Sequence, residues 1–406
     1  MPGLGPAELP RRPDRDAGAR ASISNYKYLC GARERSATEG PVHRKDKHTK
    51  TMAVHNFNAG PSHLPETVLQ QAAEAVTDFE GMGLSLLEIS HRGPQFVAVI
   101  EEARQLAREL MRLEDDFEVL FLHGGGRMQF LQTAMNLLDT GKRAAYVNTG
   151  TWSTKALEEA RFFGTVDVVA SSEDRHFTYI PKQFSVPDDA AYLHITTNNT
   201  IYGTEWHHIP EVSVPLVADM SSDILSRELD YNRFSLIYAG AQKNIGPAGV
   251  TLIAVRKSLL GKISRPIPTM MDYRVHIKNG SMYNTPPVFP IYTCLLVLRW
   301  LKDRGVATVE KNNIEKARVL YDEIDRNPLF TGTAAPEDRS RMNACFVMED
   351  KALEAEFAGF CKEEGFYGVK GHRSVGGFRV SLYNAVTLES VRTLAEAMHH
   401  FASVKA

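Results

Sequence analysis

The chain has 406 residues, 43% of them apolar and 24% charged, with a formal net charge of -2. That length allows a large core and a second lobe, while the near-neutral balance gives no reason to expect nucleic acid or an acidic membrane as a partner. Its four cysteines (Cys30, Cys294, Cys345 and Cys361) form no CxxC pair, and no apolar run reaches the about 18 residues that a bilayer span needs, so a metal site, a disulfide framework and a membrane span are unexpected and a reduced, cytoplasmic enzyme is expected.

Residues 1–52 carry Arg11, Arg12, Arg15, Arg20, Arg44, Lys45 and Lys47 among Pro, Gly and Ser, without apolar periodicity. Such a stretch cannot bury enough surface to offset its ordering entropy, so a disordered basic extension is expected. Glu8, Asp14, Asp16 and Glu34 argue against a transit peptide, and the missing apolar run argues against a secretory signal. The alternative is upstream sequence read through before a start at Met52.

Helical periodicity follows over 65–79 and 95–113. From there strands at 118–122, 144–147, 166–170, 191–195, 214–218, 236–239 and 250–255 alternate with helices such as 128–138 and 153–163. This βα order predicts an α/β fold with a mostly parallel seven-stranded sheet flanked by helices. After about residue 305 the pattern changes to long helices (306–326, 351–364, 388–401) around strands at 343–348 and 377–382. The expected organisation is a large domain over 53–305 and a smaller α+β domain over 306–406, with the N-terminal segment joining the latter.

In an open parallel sheet, ligands bind beyond the carboxyl ends of the strands, and several reactive residues are predicted there. His123-Gly-Gly-Gly-Arg127 lies between a strand and a helix, where backbone N–H groups and the helix N-terminus suit a phosphate. It is neither GxGxxG nor Walker A, so no dinucleotide or nucleoside triphosphate is indicated, and a purely structural Gly-rich turn stays open. Asp219 follows an apolar strand. It is either an N-cap for Met220-Ser-Ser or the partner of a protonated pyridine nitrogen, which would keep that ring an electron sink. Lys243 sits in Ala239-Gly-Ala-Gln-Lys-Asn-Ile-Gly-Pro247, among small residues that admit a bulky ligand. A partly desolvated lysine there has a lowered pKa and can form a Schiff base with an aldehyde. Trp152 offers a face for stacking or for helix-start packing, and Thr200 a hydroxyl for a ring oxygen. His91, Arg92, Arg127, His372, Arg373 and Arg379 form a cationic group suited to carboxylates and phosphates if they converge.

Taken together, these segments resemble the phosphoserine aminotransferases, a fold-type-I, class V family that uses pyridoxal 5'-phosphate. The resemblance runs from about Asn56 to Phe401. It is carried by Phe57-Asn-Ala-Gly-Pro61, Glu88-Ile-Ser-His-Arg-Gly93, the Gly124–Gly126 loop, the Lys243 turn, Gly280-Ser-Met-Tyr-Asn-Thr-Pro-Pro287 and Lys370-Gly-His-Arg-Ser-Val-Gly-Gly377. It implies Lys243 as the Schiff-base lysine, Asp219 on the pyridine nitrogen, Trp152 stacked on the ring and Thr200 on its 3-oxygen. Gly126, Arg127 and Gln242 would hold the cofactor phosphate. Asn284 and Thr285 would reach that of the neighbouring subunit, in a homodimer with its site at the interface. Arg379 would take the substrate α-carboxylate, and His91, Arg92, His372 and Arg373 the substrate phosphate or glutamate side chain. The implied reaction, in L-serine biosynthesis, moves the amino group of L-glutamate to 3-phosphohydroxypyruvate, giving O-phospho-L-serine and 2-oxoglutarate. The same pocket suits 3-hydroxy-2-oxo-4-phosphobutanoate, a precursor in pyridoxine biosynthesis.

Two positions depart from the family pattern. Ala59 stands where a small hydroxyl residue is expected, so any substrate contact there falls to backbone. Met128 replaces a smaller residue and is expected to tighten the phosphate cup. Rival readings are a lyase or desulfurase of the same fold, which needs a mobile nucleophilic cysteine, and a phosphate-binding protein without turnover.

Overall fold

The computed structural model describes residues 54–405. The extension expected over 1–52, with Cys30, lies outside the described residues. The fold opens with strand β1 (His55–Asn56) and helices α1 (Glu66–Thr77) and α2 (Pro94–Leu110). Pro94 at the first position of α2 is pre-set for a helix, and Phe96, Val99, Ile100, Ala103, Leu106 and Ala107 give it one buried stripe. Strand and helix then alternate through β2 (Phe117–His123), α3 (Gly125–Leu137), β3 (Arg143–Asn148), α4 (Thr151–Ala160) and β4 (Thr165–Ser171). After β5 (Leu193–Thr196) comes a small hairpin, β6 (Asn198–Asn199) and β7 (Thr204–Glu205). Strands β8 (Leu216–Asp219), β9 (Leu236–Gly240) and β10 (Val250–Arg256) follow.

Seven of these strands form one sheet in the order β2-β10-β9-β8-β5-β3-β4. All its pairings are parallel except those of β10, which runs antiparallel to both β9 and β2. The connection over 241–249 explains the reversal, because a parallel crossover needs about a dozen residues or more. Strands β5, β8 and β9 are buried at every position, as a sheet covered on both faces requires. One face carries a core that includes α2 and the later helix α6 (Val288–Arg304), the other a core that includes α3 and α4. Helix α5 (Tyr273–Lys278) lies before α6. Neither α5 nor α6 is expected from the sequence. α6 buries Ile291 to Leu298 without a break and so hides its 3.6-residue period.

The chain continues through α7 (Val306–Arg326), β11 (Thr331–Gly332), β12 (Asn343–Val347), α8 (Lys351–Glu363), β13 (Phe366–Tyr367), β14 (Phe378–Ser381) and α9 (Leu388–Lys405). Strands β11, β12 and β14 make a three-stranded antiparallel sheet. Its own core joins Leu320, Phe346, Phe357, Phe378 and Met398 to Phe57 from the N-terminal segment. That segment is tied there by β1 pairing in parallel with β13. Among the described residues no helix is long and apolar enough to cross a membrane, and no group of His, Cys, Asp and Glu could hold a metal ion.

Candidate active site

A cleft of about 460 Å³ opens at the carboxyl ends of the central strands, lined by Gly124 to Arg127, Phe130, Trp152, Asp219, Ser221, Gly240 to Lys243 and Ala248 to Val250. Each element delivers its residue there for a local reason. β2 ends at His123, and Gly124, at φ 100°, turns the chain into α3, whose first turn has no side-chain cap. Those backbone N–H groups are free for an anion. Gly240 approaches Gly126 so closely that a Cβ on it would lie 3.0 Å from Gly126 N. Met128 folds back over Gly124, where a Cβ would meet it at 2.6 Å. It is 39% exposed and absent from the cleft wall, so the expected tightening of the cup is not what its position suggests.

Asp219 is the last residue of β8 and Lys243 follows β9, the adjacent parallel strand. The Asp219 carboxylate accepts hydrogen bonds at Oδ1 from Ser221 N (2.9 Å) and Ser221 Oγ (2.6 Å). The turn contact expected of an N-cap is therefore real, yet Oδ2 stays available to a ligand. Ser221 Oγ also accepts from Gly240 N at 3.0 Å, so this serine ties both strand ends together. Lys243 Nζ donates to Thr200 Oγ1 at 2.7 Å. Thr200 comes from the turn between β6 and β7, which brings it to the lysine from β5. Burial pushes the Lys243 ammonium down to about 8, with the Asp219 charge opposing and that of Arg379 adding to the depression. Burial pushes Asp219 up, against the Lys243 charge and the Ser221 bonds.

Trp152 lies in the first turn of α4, with the Arg127 guanidinium 5.7 Å and Lys243 Nζ 5.9 Å from its ring centroid. Its Nε1 is buried without a partner among the described residues. Arg379, on β14, donates from Nη1 to the Thr200 carbonyl at 3.4 Å and so reaches the same place from the other sheet. His372 feels Arg379 and Arg373, and its pKa is lowered first by burial and then by those two charges. Ala59 has no side chain to offer, and its carbonyl is taken by the Tyr383 hydroxyl at 2.8 Å.

Gly126, Arg127, Trp152, Asp219, Gln242 and Lys243 thus share one cleft, with Thr200 and Arg379 joined through hydrogen bonds. His91, Arg92, Asn284, Thr285, His372 and Arg373 do not line it. Asn284 Nδ2 instead donates to the Thr285 carbonyl at 3.2 Å. Sequence reasoning passed over Ser221, Tyr383 and Asn244. For Ser221 a signal existed, since a serine two residues after an aspartate is turn spacing. A larger groove of about 720 Å³ lies around Trp206, His207 and Ile209. Its charged lining residues are already paired, Lys182 with Asp338 at 3.1 Å and Glu205 with Arg227 at 3.2 Å. Cys294, Cys345 and Cys361 are free and buried. Burial pushes the Cys345 and Cys361 thiols up to about 12, the opposite of what a desulfurase nucleophile needs.

The cleft suits pyridoxal phosphate on its own terms. It offers a buried amine, a carboxylate oxygen left free, an orphaned indole N–H and uncapped N–H groups at a helix start. The family model for class-V aminotransferases matches residues 54–394. The phosphoserine aminotransferase of Azobacteroides pseudotrichonymphae is 55% identical over 356 residues, which covers 87% of this chain and 99% of that protein. The solved phosphoserine aminotransferase of Bacillus circulans subsp. alkalophilus has a TM-score of 0.85 at 44% identity, over 87% of this chain and 99% of its own. The PLP-bound phosphoserine aminotransferase of Trichomonas vaginalis has a TM-score of 0.80 at 37% identity, over 86% of this chain and 100% of its own.

Proposed function

The chain belongs to the class-V aminotransferase family and, within it, to the phosphoserine aminotransferases, and on that premise we propose that the Lys243 cleft is where it performs this reaction. It moves the amino group of L-glutamate to 3-phosphohydroxypyruvate, giving phosphoserine and 2-oxoglutarate, with pyridoxal phosphate as cofactor. The observation that carries the assignment of the site is the buried Lys243 amine beside Asp219 on neighbouring strand ends, at the floor of a cleft rich in N–H donors.

When bound, pyridoxal phosphate supplies an aldehyde that carries the amino group and a ring that withdraws electrons from the substrate Cα. Lys243 would hold the cofactor through its aldehyde, and its Nζ, freed when the substrate amine takes its place there, would move the Cα proton. An amine pushed down to about 8 is suited to both tasks near neutral pH. Asp219, whose Oδ1 is held by Ser221, would pair with the pyridine nitrogen and keep it protonated. Trp152 would stack on the ring, and Thr200 would hydrogen-bond its 3-oxygen. Gly126, Arg127 and Gln242 hold the phosphate. Arg379 pairs with the substrate α-carboxylate as a bidentate fork. His91, Arg92, His372 and Arg373 take the second anionic end, the phosphate of one substrate or the side-chain carboxylate of the other.

Asn284 and Thr285 serve the cofactor phosphate of a neighbouring subunit, so the working unit is a homodimer. Two features support this. Neither residue lines its own cleft. Tyr283, beside them, is a large apolar side chain exposed on the single chain, as are Leu84, Leu87 and Met270 in other segments. Free buried thiols fit the reducing cytoplasm.

Purified protein loaded with pyridoxal phosphate should show a visible band that glutamate bleaches, and should form phosphoserine from 3-phosphohydroxypyruvate. A protein that stays colourless after the cofactor is added, or makes no phosphoserine, contradicts the proposal.

A further inference from the structure

Lys316 is buried to 1% exposure on α7, where burial pushes its ammonium down to about 7, and its Nζ meets no carboxylate among the described residues. Its three protons go to three backbone carbonyls of one turn: Leu382 and Tyr383, each at 2.8 Å, and Val386 at 3.1 Å. Burying an ammonium without a counter-ion is costly, even with its hydrogen bonds made. A lysine held this way is poor at stabilising a fold and good at fixing the carbonyls it caps.

The 382–386 turn connects two parts of the site. It follows β14, the strand that carries Arg379, and begins three residues after that arginine. Its Asn384 N–H donates to Asn244 Oδ1 at 3.0 Å, and Asn244 is the next residue after Lys243. Its Tyr383 hydroxyl donates to the Ala59 carbonyl, and a Cβ on the neighbouring Gly60 would lie 3.5 Å from Lys243 Cγ. One turn earlier on α7, Asn313 Nδ2 donates to Asn384 Oδ1 at 2.9 Å and to the Ser226 carbonyl at 2.8 Å. Asn384 Nδ2 in turn donates to the Leu225 carbonyl at 3.0 Å. One face of α7 therefore holds the turn from behind, while the turn grips the Lys243 loop in front.

We propose that Lys316 is a positioning residue of the active site, whose ammonium caps the 382–386 turn and thereby sets Arg379 and the Lys243 loop in register with each other. The proposal rests on the roles given above to Lys243 and Arg379. It reaches the chemistry only through backbone, since Lys316 touches neither substrate nor cofactor.

The test is Lys316→Met, which keeps the apolar stem and removes the charge. In the cofactor-loaded enzyme, kcat/KM for glutamate should fall by between about ten- and a hundredfold, mostly through KM, the scale expected when a binding group is misplaced by about 1 Å. The pH midpoint of the visible band should also move, because the surroundings of Lys243 shift. A lower melting temperature with KM, kcat and the midpoint all as in the unaltered enzyme would overturn the proposal and leave Lys316 a structural residue only. If Lys316→Met does not fold, Asn384→Ala must reproduce the KM and midpoint changes, since it cuts the turn's side-chain ties to Asn313 and the Leu225 carbonyl without uncovering the ammonium. Unchanged values in Asn384→Ala equally overturn the proposal. Failure of the underlying reading is separable, because Lys243→Ala would then keep the visible band whatever Lys316 does.

Discussion

Replacing Ser221 by Ala tests how Asp219 is kept ionised. The substitution removes the 2.6 Å bond from Ser221 Oγ to Asp219 Oδ1 and leaves Gly240 N–H without its acceptor. A hydrogen bond to a charged group contributes about 1.5–3 kcal/mol, so losing it should push the Asp219 carboxyl further up. Burial already raises it above the ordinary carboxylate value. A raised carboxyl costs stability as pH climbs from its unfolded value to its folded one, because the unfolded chain ionises first. The variant widens that window. Its melting-temperature deficit in the cofactor-free protein should therefore be larger at pH 8 than at pH 4, on top of a pH-independent loss from Gly240 N–H. Affinity for pyridoxal phosphate should drop by about tenfold or more, as about 1.4 kcal/mol is lost per factor of ten. Thermal unfolding across pH with cofactor titration reads both. An equal deficit at pH 4 and pH 8, with unchanged cofactor affinity, would refute the role given to Ser221.

Burial lowers Lys243 from the ordinary 10.5 to about 8, so between those values the unfolded chain binds the extra proton and cofactor-free stability should rise with pH. Lys243→Met lacks that titration. It should be the more stable protein at pH 7, with a lead that shrinks by pH 10; parallel melting curves would contradict this. Arg379→Ala should raise KM for glutamate and for the keto acid by roughly ten- to a hundredfold, as expected for losing about 1.4–3 kcal/mol of carboxylate binding, while the visible band persists. An unchanged KM would remove Arg379 from the substrate site. Two inactive variants, Lys243→Ala and Asn284→Ala, should regain about a quarter of full activity when their subunits are exchanged, because half the dimers are mixed and each then holds one intact site. No recovery in confirmed mixed dimers would argue against a shared site.

Much of the fold was legible because strand and helix alternate from 117 to 171, and short apolar runs mark the later strands of the sheet, which no α-helix separates. The residues of the cleft were legible for a related reason. Asp219, Lys243, Trp152 and the Gly124–Gly126 loop all stand at strand ends, and sequence order alone places them there. α6 escaped because a helix apolar all round carries no period to read. The reversal of β10 follows from a loop too short to cross over, a constraint visible in the sequence only once both strand ends are fixed. Asn244 and Tyr383 act through partners 140 and 324 residues away. Their polar side chains are indistinguishable from surface residues until the fold closes. Thr200 stands between these cases: it follows a readable strand, but only the β6–β7 turn carries it back to Lys243.

The most direct measurement is to reduce the cofactor-loaded protein with borohydride, digest it and locate the modified lysine by mass spectrometry. A pyridoxyl phosphate group on Lys243 is the expected result. The same group on another lysine, or on none while the enzyme is active, would contradict the assignment of Lys243.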